Sequence, residues 1–200
     1  MSTPVRPTTS TETIAYNTAP TSMGLALVAV SSKGVCAVLL GSDARALVAD
    51  LRQRFPAAEV IHQEIASVLC TRQVIAAIES PETTLDVPLD LRGSEVQKSI
   101  WHALREIPVG STASYKEIAK KIGAPTTAQD VSDACTANAL AVVVPCHRVI
   151  RSDGSLSGYR WGIKRKQALL DKERQVARDS HDVRHHRDRI NSLSRAACIR

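Results

Sequence analysis

The 200-residue chain reads as α/β, in the α+β sense, with two unequal parts, and three features predict this. Ahead of residue 62, apolar stretches are broken by short turn signals, the pattern of strands and a hairpin. Beyond Ser94 the apolar spacing becomes helical, and successive helices open with capping pairs. Between the two lies "TTLDVPLDLRG", extended and proline-containing, which reads as a linker with at most one edge strand.

Each element follows in order. Residues 1–12 are rich in Thr, Ser and Pro and are expected to be disordered. "TIAYNTAPTSMGLALVAVSSKGVCAVLLG" gives strands interrupted at "TSMG" and "SSKG". "SDARALVADLRQRFP" starts on a cap residue, spaces Ala46, Leu47, Leu51 and Phe55 helically, and stops at Pro56. A short strand, "AEVIHQ", and a helix over Glu64–Ile78 complete an amino-terminal domain of residues 13–88. The second domain, 89–173, opens with Ser94 and Gln97 as a capping box and sets Val96, Ile100, Leu104 and Ile107 on one face. Ser114 and Glu117 repeat the device before a helix ending at Gly123, and Thr127 caps a third helix reaching Asn138. Two short helices joined through a Gly-containing turn form a helix-turn-helix arrangement. A valine strand, the loop "RSDGSLSGYRWG" and a helix "IKRKQALLDKER" follow, and 174–200 is expected to be a basic, disordered tail.

Composition narrows the function. No apolar run approaches a membrane span and no hydrophobic segment follows a basic start, so a cytoplasmic protein is expected. Five widely spread cysteines without a Cys-x-x-Cys pair argue against a disulfide framework and against a structural metal. Cys36 and Cys70 read as small buried hydrophobes. The formal net charge of +6 suggests an acidic partner, but seven arginines against three aspartates from Arg174 onward place +4 of it in the tail. His181, His185 and His186 in that tail lack a metal-ligand spacing.

Chemistry concentrates at "AVVVPCHRVI", residues 141–150. A strand made only for packing would not end in titratable residues. Cysteine attacks as its thiolate and needs a neighbour to take its proton. His147 follows Cys146 directly, yet adjacent side chains on an extended segment point opposite ways, so contact requires a bend or a bridging water.

"PCHRVI", "GYRWG" and "KQALLDKE", with "IWHALREIPVGSTASYKEIAKKIGAP" before them, resemble the O6-alkylguanine-DNA alkyltransferases, most nearly the Ada-type carboxyl-terminal domain, over roughly Thr13 to Glu173. The resemblance implies a small ribonuclease-H-like domain followed by a winged helix-turn-helix domain, and irreversible transfer of an alkyl group from guanine O6 in double-stranded DNA to a cysteine. It casts Cys146 as nucleophile, His147 as its base through a water, and Glu173 as the group that orients the histidine. The base would be flipped out of the duplex. Tyr115 would contact the guanine and supply a proton, carbonyls near Cys146 and Val149 would accept from its amine, and Tyr159 would wall the alkyl pocket. Asn138 would join the recognition helix to the active-site segment, and Arg148 would hold structural hydrogen bonds. No cofactor is implied, and a monomer is expected.

One position departs from the family pattern. The recognition helix usually carries an arginine that fills the space left by the flipped base, and here Gln129 stands there. With Val131, Ala134 and Cys135 inward, Gln129, Ser132, Asp133 and Thr136 face outward as the DNA-contacting set, without a basic residue. Weaker duplex binding is therefore expected. The alternative function is a non-catalytic or weakly active lesion-binding protein of the same fold.

Overall fold

The computed structural model describes residues 11–179, with side chains of 64–68 outside the description. The disorder expected for 1–10 and the tail beyond 179, including its three histidines, lie outside the described residues. Glu12 is anchored, because its carboxylate pairs with Arg92. The last helix runs 163–179, past the Arg174 boundary drawn for the tail.

Alternating turns and β-rich runs form β1 (Thr13–Thr21), β2 (Gly24–Ser31) and β3 (Gly34–Gly41), a meander of antiparallel neighbours. The chain then forms α1 (Ala44–Arg54), capped by the Asp43 carboxylate on the Arg45 and Ala46 amides. β4 (Glu59–His62) adds to β1 in parallel, giving the order β3-β2-β1-β4. α2 (Glu64–Glu79) packs across β1 and β2, burying Val74 and Ile78. The linker contributes one bridge, Val35 with Leu89, rather than a strand.

α3 (Glu95–Arg105), α4 (Tyr115–Ile122) and α5 (Ala128–Ala137) each carry a full capping box, as local sequence predicts for the first two and in part for the third. α3 buries Ile100, Trp101, Ala103 and Leu104, whereas Val96, in its first turn, is half exposed. The Trp101 indole N–H donates to the Ala134 carbonyl at 2.9 Å, pinning α5 across α3. β5 (Ala113–Ser114) and β6 (Val149–Ile150) make a short parallel pair beside α4. α6 (163–179) buries Lys166, Leu169, Leu170 and Glu173, a stripe at i, i+3, i+4 and i+7. Among the described residues no helix is long and apolar enough to cross a membrane.

The sheet and the helical half meet where the site is built. Val38 on β3 donates to Ala139 O at 2.8 Å and accepts from Ala141 N at 2.9 Å, so the edge of the sheet grips the segment leading to Cys146.

Candidate active site

The expected valine strand is absent. Only Leu140 bridges to β3; residues 141–144 turn, and Cys146–Arg148 form one turn of 3-10 helix. The reason lies in Asn138, fully buried at the end of α5. Its side-chain oxygen accepts from Leu140 N at 2.8 Å and its amide donates to Val144 O at 2.9 Å, so a side chain takes the bonds a partner strand would have made. Val142 is held at φ 66°, a strained conformation for a β-branched residue, while Val143 and Val144 turn into the core. Pro145, without an N–H, then leads into the 3-10 turn.

This turn presents Cys146 at the bottom of a cavity of about 670 Å³, which Tyr115, Gln129, Ser132, Thr136 and Tyr159 also line. Cys146 is 4 % exposed, and its sulfur accepts from the Asn138 amide at 3.2 Å. Burial pushes the thiol up to about 11, against the opposing pull of that hydrogen bond and of the Lys166 charge. It rests protonated at neutral pH.

Behind the sulfur sits a closed polar cluster. His147 Nε2 lies 2.8 Å from Glu173 Oε1, and His147 Nδ1 has no hydrogen-bond partner among the described residues. Glu173 also accepts from Arg148 Nε and Nη2 at 2.9 to 3.1 Å and from Gly110 N at 3.2 Å, while Arg148 Nη1 donates to Ile107 O. Burial raises the Glu173 pKa, but the bonds from His147 and Arg148 outweigh it and bring the carboxyl to about 2. Burial pulls His147 below its ordinary value despite the carboxylate beside it. A neutral ring donating from Nε2 to Glu173 leaves a lone pair on Nδ1.

A second chain of hydrogen bonds runs along the cavity wall. Tyr115, the first residue of α4, places its hydroxyl 2.6 Å from Ser157 Oγ; Ser157 accepts from Lys166 Nζ at 2.9 Å. The same ammonium donates to Val149 O at 2.6 Å, so the carbonyl expected to meet a guanine amine already anchors a buried lysine. Burial raises the Tyr115 phenol and lowers Lys166. Tyr159 stacks edge-on against His147 and Trp161 with centroids 6.4 and 5.2 Å away.

The site residues read from sequence thus fall into two groups. Cys146, Tyr115, Tyr159, Gln129, Ser132 and Thr136 share the cavity, whereas His147, Arg148, Glu173, Asn138 and Val149 support it from behind. On α5, Gln129 is tied by its amide to Asp133 at 2.8 Å, and that face is neutral to acidic. Lys166, Ser157 and Gly110 were missed. Lys166 did carry a signal in its spacing, because it stands two helical turns before Glu173 on the same stripe of α6.

Fold and site together define a mixed α/β protein whose buried, hydrogen-bonded cysteine opens into a cavity walled by a capped helix pair. Residues 95–175 match the family model described as the 6-O-methylguanine DNA methyltransferase, DNA binding domain. The chain is 46% identical over 160 residues, 80% of its length, to the bifunctional transcriptional activator/DNA repair enzyme Ada of Escherichia coli (strain K12), and covers 45% of that protein. It is 37% identical over 134 residues to the inducible methylated-DNA–protein-cysteine methyltransferase of Bacillus subtilis (strain 168), covering 67% of this chain and 74% of that one. A crystal structure of Mycobacterium tuberculosis OGT in complex with DNA aligns with a TM-score of 0.63 at 33% identity, over 82% of this chain and 93% of that one. The chain belongs to the methylated-DNA–protein-cysteine methyltransferase family. It spans about half the length of the Ada proteins it matches.

Proposed function

We propose that the protein repairs double-stranded DNA by transferring the methyl group of O6-methylguanine to Cys146, once per molecule. The observation that supports it most is a cavity lined by both Cys146 and Tyr115, with the residue next to the cysteine, His147, buried and held 2.8 Å from Glu173. In this reading residues 13–88 are a ribonuclease-H-like domain and 89–173 a winged helix-turn-helix domain, with α4 and α5 as its helix pair and α5 facing the groove.

The step balances as a single displacement. With the lesion seated, the thiol proton passes through a water to His147 Nδ1, whose positive form Glu173 stabilises. The sulfur attacks the methyl carbon, a carbon–sulfur bond forms, the carbon–O6 bond breaks, and its electron pair enters the purine. Tyr115 delivers a proton to the ring, and Ser157 and Lys166, hydrogen-bonded behind it, stabilise the phenolate left behind. Because the resting thiol is held near 11, deprotonation belongs to the substrate-bound state and protects the cysteine beforehand. The thioether has no leaving group that water displaces, so the protein is consumed and no cofactor takes part.

The test is intact-protein mass spectrometry after incubation with duplex, single-stranded and free-base forms of O6-methylguanine. One methyl adduct, absent in Cys146→Ala, is expected. A folded protein that binds the lesion duplex without forming an adduct would instead establish the lesion-binding alternative.

A further inference from the structure

A cavity that takes an extruded nucleotide must also hold the negative phosphates on either side of it, because pulling a base out of the stack costs a few kcal/mol that backbone contacts have to offset. α5 is poorly furnished for this. Its outward residues are Gln129, Ser132, Asp133 and Thr136, and the amide of Gln129 is already held by Asp133.

The cations lining the cavity come from elsewhere: Lys116 on α4, and Arg151 and Arg160 from the segment after β6. Arg160 is committed to Asp50 on α1 at 3.0 Å. Arg151 differs. Its side chain is exposed and makes no hydrogen bond or ion pair among the described residues, while its backbone is fixed by a tight turn. Arg151 N donates to Ser155 O at 3.0 Å, its carbonyl accepts from Gly154 N at 3.0 Å, and Gly154 supplies the positive φ of 81° that the turn requires. The neighbouring Asp153 carboxylate is occupied by Ser155, from its amide and its hydroxyl. Arg151 is therefore a cation without a hydrogen-bonded or ion-paired partner among the described residues, set on a hydrogen-bonded turn and sharing the cavity lining with Gln129. Its charge also reaches Tyr115, where it opposes in part the upward push of burial on the phenol.

We propose that Arg151 is the residue that holds a DNA phosphate next to the extruded nucleotide, with Lys116 as a second and weaker contact. The cation needed for extrusion thus sits on the turn after β6 instead of on α5. A guanidinium presents parallel donors to two phosphate oxygens, whereas the lysine offers a point charge. This rests on the function proposed above but is tested separately from it. Position 151 then sets the preference for duplex over free base, while α5 contributes shape and neutral hydrogen bonding.

The experiment measures equilibrium binding of an O6-methylguanine duplex in a Cys146→Ala background, so that the lesion is not consumed, across a series of salt concentrations. Arg151→Gln is compared with Lys33→Gln, which removes the same charge from the β2–β3 turn in the sheet half. Arg151→Gln is expected to weaken binding about tenfold and make the salt dependence shallower by about one unit of slope, with Lys33→Gln near the parent. With Cys146 intact, Arg151→Gln should lose more rate on the duplex than on the free O6-methylguanine base. Equal binding and equal salt slopes for the two variants would overturn the proposal. Absence of any methyl adduct in the parent would overturn the transfer reading and leave the binding comparison to decide on Arg151 alone.

Discussion

Cys36, in the middle of β3, and Cys146, on the 3-10 turn, are both buried thiols, and what surrounds them differs. Cys36 packs in the sheet and lines a second cavity with Glu12, Arg54 and Arg92; it donates one hydrogen bond, to the Ala29 carbonyl, and burial raises it to about 12. Cys146 accepts a hydrogen bond instead of donating one, has the His147–Glu173 pair behind it and the Lys166 charge near it, and rises only to about 11. A modest difference at rest hides a large difference in what each site can do. Among the described residues no side chain hydrogen-bonds Cys36, whereas the residue after Cys146 is a buried histidine oriented by Glu173.

The sharpest way to break this comparison is to exchange the fates of the two sulfurs. Cys146→Ala should abolish the methyl adduct, whereas Cys36→Ala should leave it at full yield, at about 1 kcal/mol of stability; an adduct on Cys36 in either protein would refute the assignment. Next in size, Glu173→Gln should slow single-turnover transfer about 100-fold or more by removing the partner of His147. It should also lower stability in urea by about 3–5 kcal/mol, because Arg148 would lose its buried counter-ion.

Acid probes the same cluster without mutation. His147, held below its ordinary value, binds its proton less readily folded than unfolded, so stability falls as pH drops below about 6.5. Glu173, lowered from 4.5 to about 2, contributes stability that is complete above about 4.5 and is lost as pH falls towards 2. Urea midpoints measured from pH 7 to pH 3 should therefore decline in two stages, and Glu173→Gln should show a smaller lower one, the remainder coming from other paired carboxylates such as Glu12, Glu79 and Asp90, which are also lowered. Smaller again, Tyr115→Phe should slow transfer about 10- to 100-fold while leaving duplex affinity within about twofold, a split between rate and binding that a merely structural tyrosine would not produce. The smallest effect is expected from Gln129→Arg, which should tighten duplex binding a few-fold by adding a phosphate contact; no change would show that the neutral α5 face costs nothing.

How much of this was legible in the sequence depended on the range of the forces. Capping pairs such as Ser94–Gln97 and Ser114–Glu117 act within one helical turn, so the helix starts could be read directly. The outward face of α5 followed from helical spacing alone. The segment after Leu140 could not be read in this way. Its valines look like a strand, and the residue that bends them is Asn138, acting through its side chain from the end of the preceding helix. Lys166 was passed over because a lysine in "IKRKQ" looks like any solvated charge until α6 is seen to bury it beside Leu169 and Glu173. The roles of Cys146, His147 and Glu173 came from resemblance; the sequence alone gave no reason to expect that Arg148 and Gly110 would share one carboxylate with the histidine.

Gly110 carries a wider consequence. Its N–H reaches Glu173, and a methyl group in place of its hydrogen would come within 2.7 Å of Ala177 Cβ on the same helix. The turn after α3, the Cys146–Arg148 turn and α6 therefore meet with no slack around one carboxylate. Such a centre resists piecemeal change: altering any one of these segments disturbs the others, so new substrate scope is hard to evolve from inside. The rim is different, since Arg151, Lys116 and Gln129 can each be exchanged without moving a neighbour in the core. Adaptation to other lesions, by selection or by design, should accumulate at the mouth of this cavity while its floor stays fixed.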